Sequence, residues 1–130
     1  IDAIATDHAP HASHLKEQPL DQAPPGMLGL ETALALSLTE LNMETHAVLA
    51  ALSWNPARIA GVGDRHGRPV AVGEPANVAI FDPTHEWVVD RDVVASKSKN
   101  TPYHGRTVRG KVRHTVFAGQ VVVRDGVAQR

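Results

Sequence analysis

Along this chain the spacing of apolar positions changes character twice. Ile1 to Thr6 alternate loosely between apolar and polar and carry β-branched Ile1, Ile4 and Thr6, the pattern of a short buried strand. From His8 to Pro25 the periodicity stops. Pro10, Pro19, Pro24 and Pro25 interrupt it, and Lys16, Glu17, Gln18, Asp21 and Gln22 favour water, so the span reads as a long loop. Loops of that length are uncommon inside compact domains and tend to be lids or binding segments. After Gly26 the residues Met27, Leu30, Leu34, Leu38 and Leu41 recur at steps of three and four, which predicts a long helix with one buried face. A second helix is expected after Thr45 as N-cap, with Val48, Leu49 and Leu52 inward. A third is expected from Asn55 and Pro56, Asn capping and Pro in the first helical position, to Gly61.

From Arg68 onward the pattern turns to short β runs punctuated by Gly, Pro and Asp. Strands are predicted over 76–81, 87–89, 112–118 and 120–124, with a tight connection at Ala118-Gly119-Gln120 and a turn at Asp125-Gly126. A strand, a long loop and helices, then a small all-β section, is the α/β order expected of a β/α barrel entered just before its last strand. Residues 1–63 would then be the last strand, substrate loop and terminal helices of the barrel, and residues 64–130 a separate β section.

Composition narrows this picture. The 130 residues suffice for one compact domain, but Ile1 opens into strand-like sequence with no initiator Met, which predicts a piece of a longer protein. There is no cysteine, so disulfides and thiolate metal sites are excluded and a reducing compartment, the cytoplasm, is the default expectation. No apolar run approaches the roughly 20 residues of a membrane-spanning helix, so a membrane partner is not expected. With 14 acidic residues against 13 scattered basic ones, no stripe exists to neutralise phosphates, and with 4% aromatics there are few stacking platforms; nucleic acid is not an expected partner.

The chemistry concentrates in Ala5-Thr6-Asp7-His8-Ala9-Pro10-His11, followed by Lys16. Asp7 falls where the expected strand gives way to the loop, the end of a barrel strand at which active sites are built. A carboxylate there can bind a divalent metal through one oxygen and accept a proton from water through the other. Pro10 stiffens the turn and fixes the displacement of His11 from Asp7. The bland alternatives are a capping carboxylate for Asp7 and a loop histidine bonded to a carbonyl for His11.

This run resembles the second signature of the dihydroorotases: a small residue, Thr or Ser, Asp, any residue, Ala-Pro-His, four residues, Lys. Every defined position matches. Pro25-Gly26-Met27-Leu28-Gly29-Leu30-Glu31-Thr32 resembles the Gly-containing loop with which that family closes over its substrate. Asn55-Pro56-Ala57-Arg58-Ile59-Ala60-Gly61 is similar to an Asn-Pro-Ala helix of many amidohydrolases. Gly73 to Asp82 and Asn100-Thr101-Pro102-Tyr103-His104-Gly105 resemble two hallmarks of their C-terminal β section. The likeness runs in order through nearly the whole chain.

The resemblance implies the C-terminal part of a metal-dependent (β/α)8 TIM-barrel amidohydrolase of the class I dihydroorotase type, with a small C-terminal β-sandwich section. It implies reversible hydrolysis of dihydroorotate to N-carbamoyl-aspartate in pyrimidine synthesis, with one or two zinc ions whose other ligands lie outside this chain. Asp7 would be the last metal ligand and the proton shuttle, and His11 would bind the substrate carboxylate. Pro25 and Gly26 would also bind substrate, Pro25 through its carbonyl and Gly26 through an N–H at the start of the long helix, where an anion is favoured.

His8 occupies the unspecified position of the signature and is expected to support its neighbours rather than react. Lys16 would either tie the loop down or meet the substrate. Asn100 is expected to satisfy backbone groups in the β section, and His14, His46, His66, His85, His104 and His114 to lie on the surface or behind the site. The paired and middle-strand histidines of such enzymes are absent from this chain. Asp7 alone cannot hold zinc against water, so the segment alone should be inactive and pack against the rest of its barrel or against copies of itself. Two rival readings stand beside this one. One is a hydantoinase or allantoinase acting on rings without the carboxylate, which usually have a non-basic residue at the position of His11. The other is a non-catalytic dihydroorotase-like subunit scaffolding an aspartate transcarbamoylase, against which the retained Asp7 argues.

Overall fold

A computed structural model describes residues 1–129. Its elements are α1 (Ser13–Lys16), α2 (Ala33–Glu40), α3 (Thr45–Leu49), α4 (Asn55–Ile59), β1 (Val78–Val88), β2 (Thr107–Phe117), β3 (Gln120–Arg124) and β4 (Val127–Ala128). The strand expected over Ile1 to Thr6 forms no ladder. A buried parallel strand exists only beside another strand, and the segment instead donates from the Ile4 N–H to the Ala51 carbonyl at 2.9 Å.

The helix expected from Gly26 begins only at Ala33. Residues before it are engaged elsewhere: His8 and Met27 form a parallel bridge, the Ala9 N–H donates to the Met27 carbonyl at 2.9 Å, and the Leu28 N–H donates to the Asn100 carbonyl at 3.2 Å. Met27 and Leu30 therefore stay exposed, and α2 buries Ala35, Ser37 and Leu38 instead. The second and third helices are one rod, because residues Ala50–Trp54 form a π turn that joins α3 to α4. Glu44, not Thr45, takes the cap position of α3. Asn55 is itself helical, with φ −67 and ψ −48, and caps nothing. The π turn has a physical reason: Pro56 has no N–H to give, and its ring crowds the carbonyl four residues earlier.

The sheet is antiparallel in the order β1-β2-β3-β4. Two of the predicted strands merge into β1, whose register shifts between Asp82 and Glu86. There the Asp82 carboxylate accepts the Thr84 N–H at 2.9 Å, the Thr84 hydroxyl at 2.8 Å and the His85 N–H at 3.1 Å. β2 starts at Thr107, earlier than its charged and Gly-containing sequence announces, because Val108 and Gly110 turn inward against α2. The hairpin turns are as expected: Ala118 and Gly119 (φ 49 and 81), then Asp125 and Gly126 (φ 50 and 78), supply the paired positive φ of type I′ turns.

Ala35 of α2 joins Val108 of β2 and Val89 beyond β1 in one core, backed by Leu36, Trp87 and Tyr103. Leu38 lies against Gly110, where a Cβ would come within 2.5 Å of the Leu38 Cδ1. The Arg109 N–H donates to the Thr39 hydroxyl at 3.0 Å, and Arg106 pairs with Glu40 at 2.6 Å. Helix and sheet are locked together, and the long connection from Val89 to Arg106 meets the His8 segment at Asn100, whose Nδ2 donates to the Ala9 carbonyl at 2.8 Å.

The Asp82 carboxyl is held below its ordinary range, first by the Thr84 hydroxyl and then by the Thr84 and His85 amides. A depressed carboxylate contributes stability that is present above its unfolded value and lost as pH falls through the folded one. Asp82→Asn keeps an oxygen for the Thr84 N–H but loses the charge. In the intact protein its melting temperature should fall below the parent's at neutral pH and converge with it in acid. A gap constant across a pH series of thermal melts would contradict this.

Candidate active site

The site is built where the segment through His8 meets two loops. Asp7 has φ 44, the left-handed region that a non-Gly residue seldom adopts. Its side chain is exposed to the cleft described below. His8 turns away: its Nδ1 accepts the N–H groups of Gly29 at 3.1 Å and Leu30 at 3.3 Å. A ring nitrogen that accepts is unprotonated, so in neutral His8 the proton sits on Nε2.

His11 is half-buried and sits over the Gly26 loop. Its Nε2 lies 2.9 Å from the Pro25 carbonyl. Because a carbonyl only accepts, Nε2 carries a proton here. Lys16 ties down the same loop, donating to the Pro24 carbonyl at 2.9 Å and the Gly26 carbonyl at 3.2 Å. Gly26 has φ 114, and a Cβ there would fall 2.5 Å from the Ala9 Cβ and 3.3 Å from the His11 Nε2. Only glycine lets the loop lie this close to the turn. The expected use of Gly26 as a helix N-terminus is corrected by the late start of α2: the glycine lies seven residues ahead of that helix, whose dipole acts only within its first turn.

Asp7, His11 and Gly26 line one cleft of about 940 Å³, together with Lys99, Asn100 and Arg91 from the connection between β1 and β2. Pro25 does not line it; its carbonyl faces His11. The contribution of residues near position 100 is not visible in the sequence, since it depends on hydrogen bonds spanning about ninety positions. The only available signal is the Asn100-Thr101-Pro102 run itself, which resembles a β-section hallmark. The remaining histidines stand apart: His104 and His114 accept main-chain N–H groups within the β section, and His14, His46, His66 and His85 are exposed.

Among the described residues no group of three or more His, Asp or Glu side chains could hold a metal ion. Asp7 offers carboxylate oxygens from one side chain, whereas catalytic zinc sites use about three protein ligands. The described residues alone therefore do not make a metal centre. Among them, no helix is long and apolar enough to cross a membrane.

Comparison with known proteins bears on the family and the fold. Residues 1–122 match the sequence model described as the amidohydrolase family. A dihydroorotase of Mycobacterium leprae is 47% identical over 133 residues, taking in 95% of this chain and 30% of that protein. A dihydroorotase of Sulfurihydrogenibium sp. is 42% identical over 128 residues, 96% of this chain and 30% of the relative. The solved L-hydantoinase (dihydropyrimidinase) of Arthrobacter aurescens superposes with a TM-score of 0.87 at 29% identity, covering 100% of this chain and 30% of its own. The chain thus spans 30% of the length of these relatives.

Proposed function

The chain belongs to the amidohydrolase family, and from that membership we propose that the intact protein is a dihydroorotase, interconverting dihydroorotate and N-carbamoyl-aspartate in pyrimidine synthesis. The observation that carries the proposal is the convergence of Asp7, His11 and Gly26 on one cleft. In the hydrolytic direction water adds to the ring amide carbon, the carbon–nitrogen bond breaks and the nitrogen gains a proton. The exposed Asp7 carboxylate takes the proton from water and returns it to the leaving nitrogen. His11 meets the carboxylate that dihydroorotate carries beside its ring, a charge-assisted contact when the imidazole is protonated. Pro25 contributes by seating that imidazole, and Gly26 by keeping the loop close.

Zinc is the cofactor we assign, with Asp7 as one ligand and the others outside this chain; this part of the site is incomplete here. We further assign residues 1–63 to the closing segment of a TIM barrel and the β1–β4 sheet of residues 64–130 to a composite β-sandwich, in a cytoplasmic enzyme. The likeness to a solved hydantoinase favours a second reading, a cyclic amidohydrolase acting on rings without the carboxylate. The two readings separate on substrate charge. Intact protein loaded with zinc should hydrolyse dihydroorotate with a kcat/KM ~10²-fold or more above that for hydantoin, as a site built to bond a substrate group discriminates against its absence. The reverse preference would establish the hydantoinase reading. Turnover of neither would establish a non-catalytic, scaffold-like subunit, for which an aspartate transcarbamoylase is the partner to test.

A further inference from the structure

We propose that Asn100 is a positioning residue of this site, setting the places of His11 and of the Gly26 loop without itself reacting. The inference rests on the dihydroorotase reading for its kinetic arm only.

Asn100 lies in the connection between β1 and β2, yet its side chain is spent wholly on the far end of the chain. Its Nδ2 donates to the Ala9 carbonyl at 2.8 Å and to the Gly26 carbonyl at 3.4 Å, while its Oδ1 accepts the His11 N–H at 3.3 Å. The amide orientation is fixed by these partners, since a flip would set oxygen against two carbonyls and nitrogen against an N–H. The main-chain carbonyl of the same residue accepts the Leu28 N–H at 3.2 Å. One residue therefore joins the turn after Asp7, the loop that carries Gly26 and the β-section connection.

The connection is itself anchored. The Glu31 carboxylate accepts the Ala95 N–H at 2.9 Å and the Ser96 N–H at 3.1 Å, and Lys99 donates to the carbonyls of Asp92 at 3.4 Å and Val94 at 3.5 Å. Asn100 thus transmits the position of a fixed segment to two that have little regular structure of their own. It reaches His11 twice: directly at the main chain, and through the Gly26 loop, because the His11 ring rests on the carbonyl of Pro25. A shift of about 1 Å in a group that orients substrate is enough to cost a large factor in rate or affinity. Lys16 holds the same loop but reaches only Pro24 and Gly26, so it does not replace the link to His11.

The test uses the intact protein with Asn100→Ala and the isosteric Asn100→Asp, which keeps an acceptor for the His11 N–H but faces two carbonyls with a carboxylate. Both should raise the KM for dihydroorotate ~10-fold or more and change kcat by less than ~3-fold, the signature of binding lost equally from ground state and transition state at a site outside the proton-transfer step. Hydrogen exchange should quicken at the His11 amide in Asn100→Ala, which loses its acceptor, less so in Asn100→Asp, which keeps one, and stay unchanged through β2 and β3. That second readout needs no substrate. If the parent fails to turn over dihydroorotate, the dihydroorotase reading falls while the exchange data still decide the role of Asn100. A lowered melting temperature with KM and local exchange both as in the parent would overturn the proposal.

Discussion

Changing Asp7 to Asn in the intact protein should lower kcat for dihydroorotate by ~10²–10⁴-fold, the range that one positioned acid–base group supplies. KM and the melting temperature should stay near those of the parent. The separation follows from where the residue sits. Asp7 has φ 44, a conformation that Asn adopts about as readily as Asp because a short polar side chain can bond to nearby backbone. The replacement has the same shape, and the exposed carboxylate has no buried partner to leave unpaired. What disappears is the oxygen that can take a proton from water. Asp7→Ala should lose the same activity and add about 1–2 kcal/mol of instability, the cost of left-handed backbone for a residue without that local bonding. Steady-state kinetics in both directions and thermal melts check this pair. Zinc content measured on the same preparations separates the two duties assigned to Asp7: content equal to the parent's puts the loss on proton transfer. An Asp7→Asn enzyme keeping more than about a tenth of parental kcat would remove Asp7 from the reaction.

The parts of this molecule that follow local rules could be read from its sequence. The two tight turns around Gly119 and Gly126 follow from small or Asp residues paired with Gly, and β3 falls where predicted, at Gln120–Arg124. Asp7 and His11 stand out because proline and alanine between them leave little freedom. What could not be read depends on partners distant along the chain. The Leu pattern after Gly26 has helical spacing, but Met27 and Leu28 bond to His8 and Asn100 regions before a helix can start, so tertiary hydrogen bonds override propensity. The first six residues have strand composition and no strand beside them. The start of β2, ahead of the predicted strand at 112, was hidden by its charges, since Arg109 and Lys111 occupy the face opposite buried Val108, and Gly110 reads as a breaker until Leu38 is seen filling the space above it. Asn100 follows the same logic: it is expected to serve backbone groups of the β section, whereas its amide meets a carbonyl about ninety positions earlier, a partner no local pattern announces.

Removal of the His11 imidazole tests the site from the substrate's side. His11→Ala should raise the KM for dihydroorotate ~10–100-fold, the worth of one hydrogen bond between charged groups. The KM for a neutral cyclic amide should change much less. The ring's bonding explains why charge decides the outcome. Its Nε2–H is already given to the Pro25 carbonyl, so a singly protonated imidazole has no second N–H to offer. Only the doubly protonated ring can hold Pro25 through Nε2 and a carboxylate through Nδ1 at once, and in that state it also carries the positive charge that attracts the anion. His11→Gln, which restores one donor without charge, should recover part of the affinity. If dihydroorotate and a neutral ring lose affinity equally on removing the imidazole, His11 serves to support the Pro25 loop, and the carboxylate must be held by another cation of the cleft, Arg91 or Lys99.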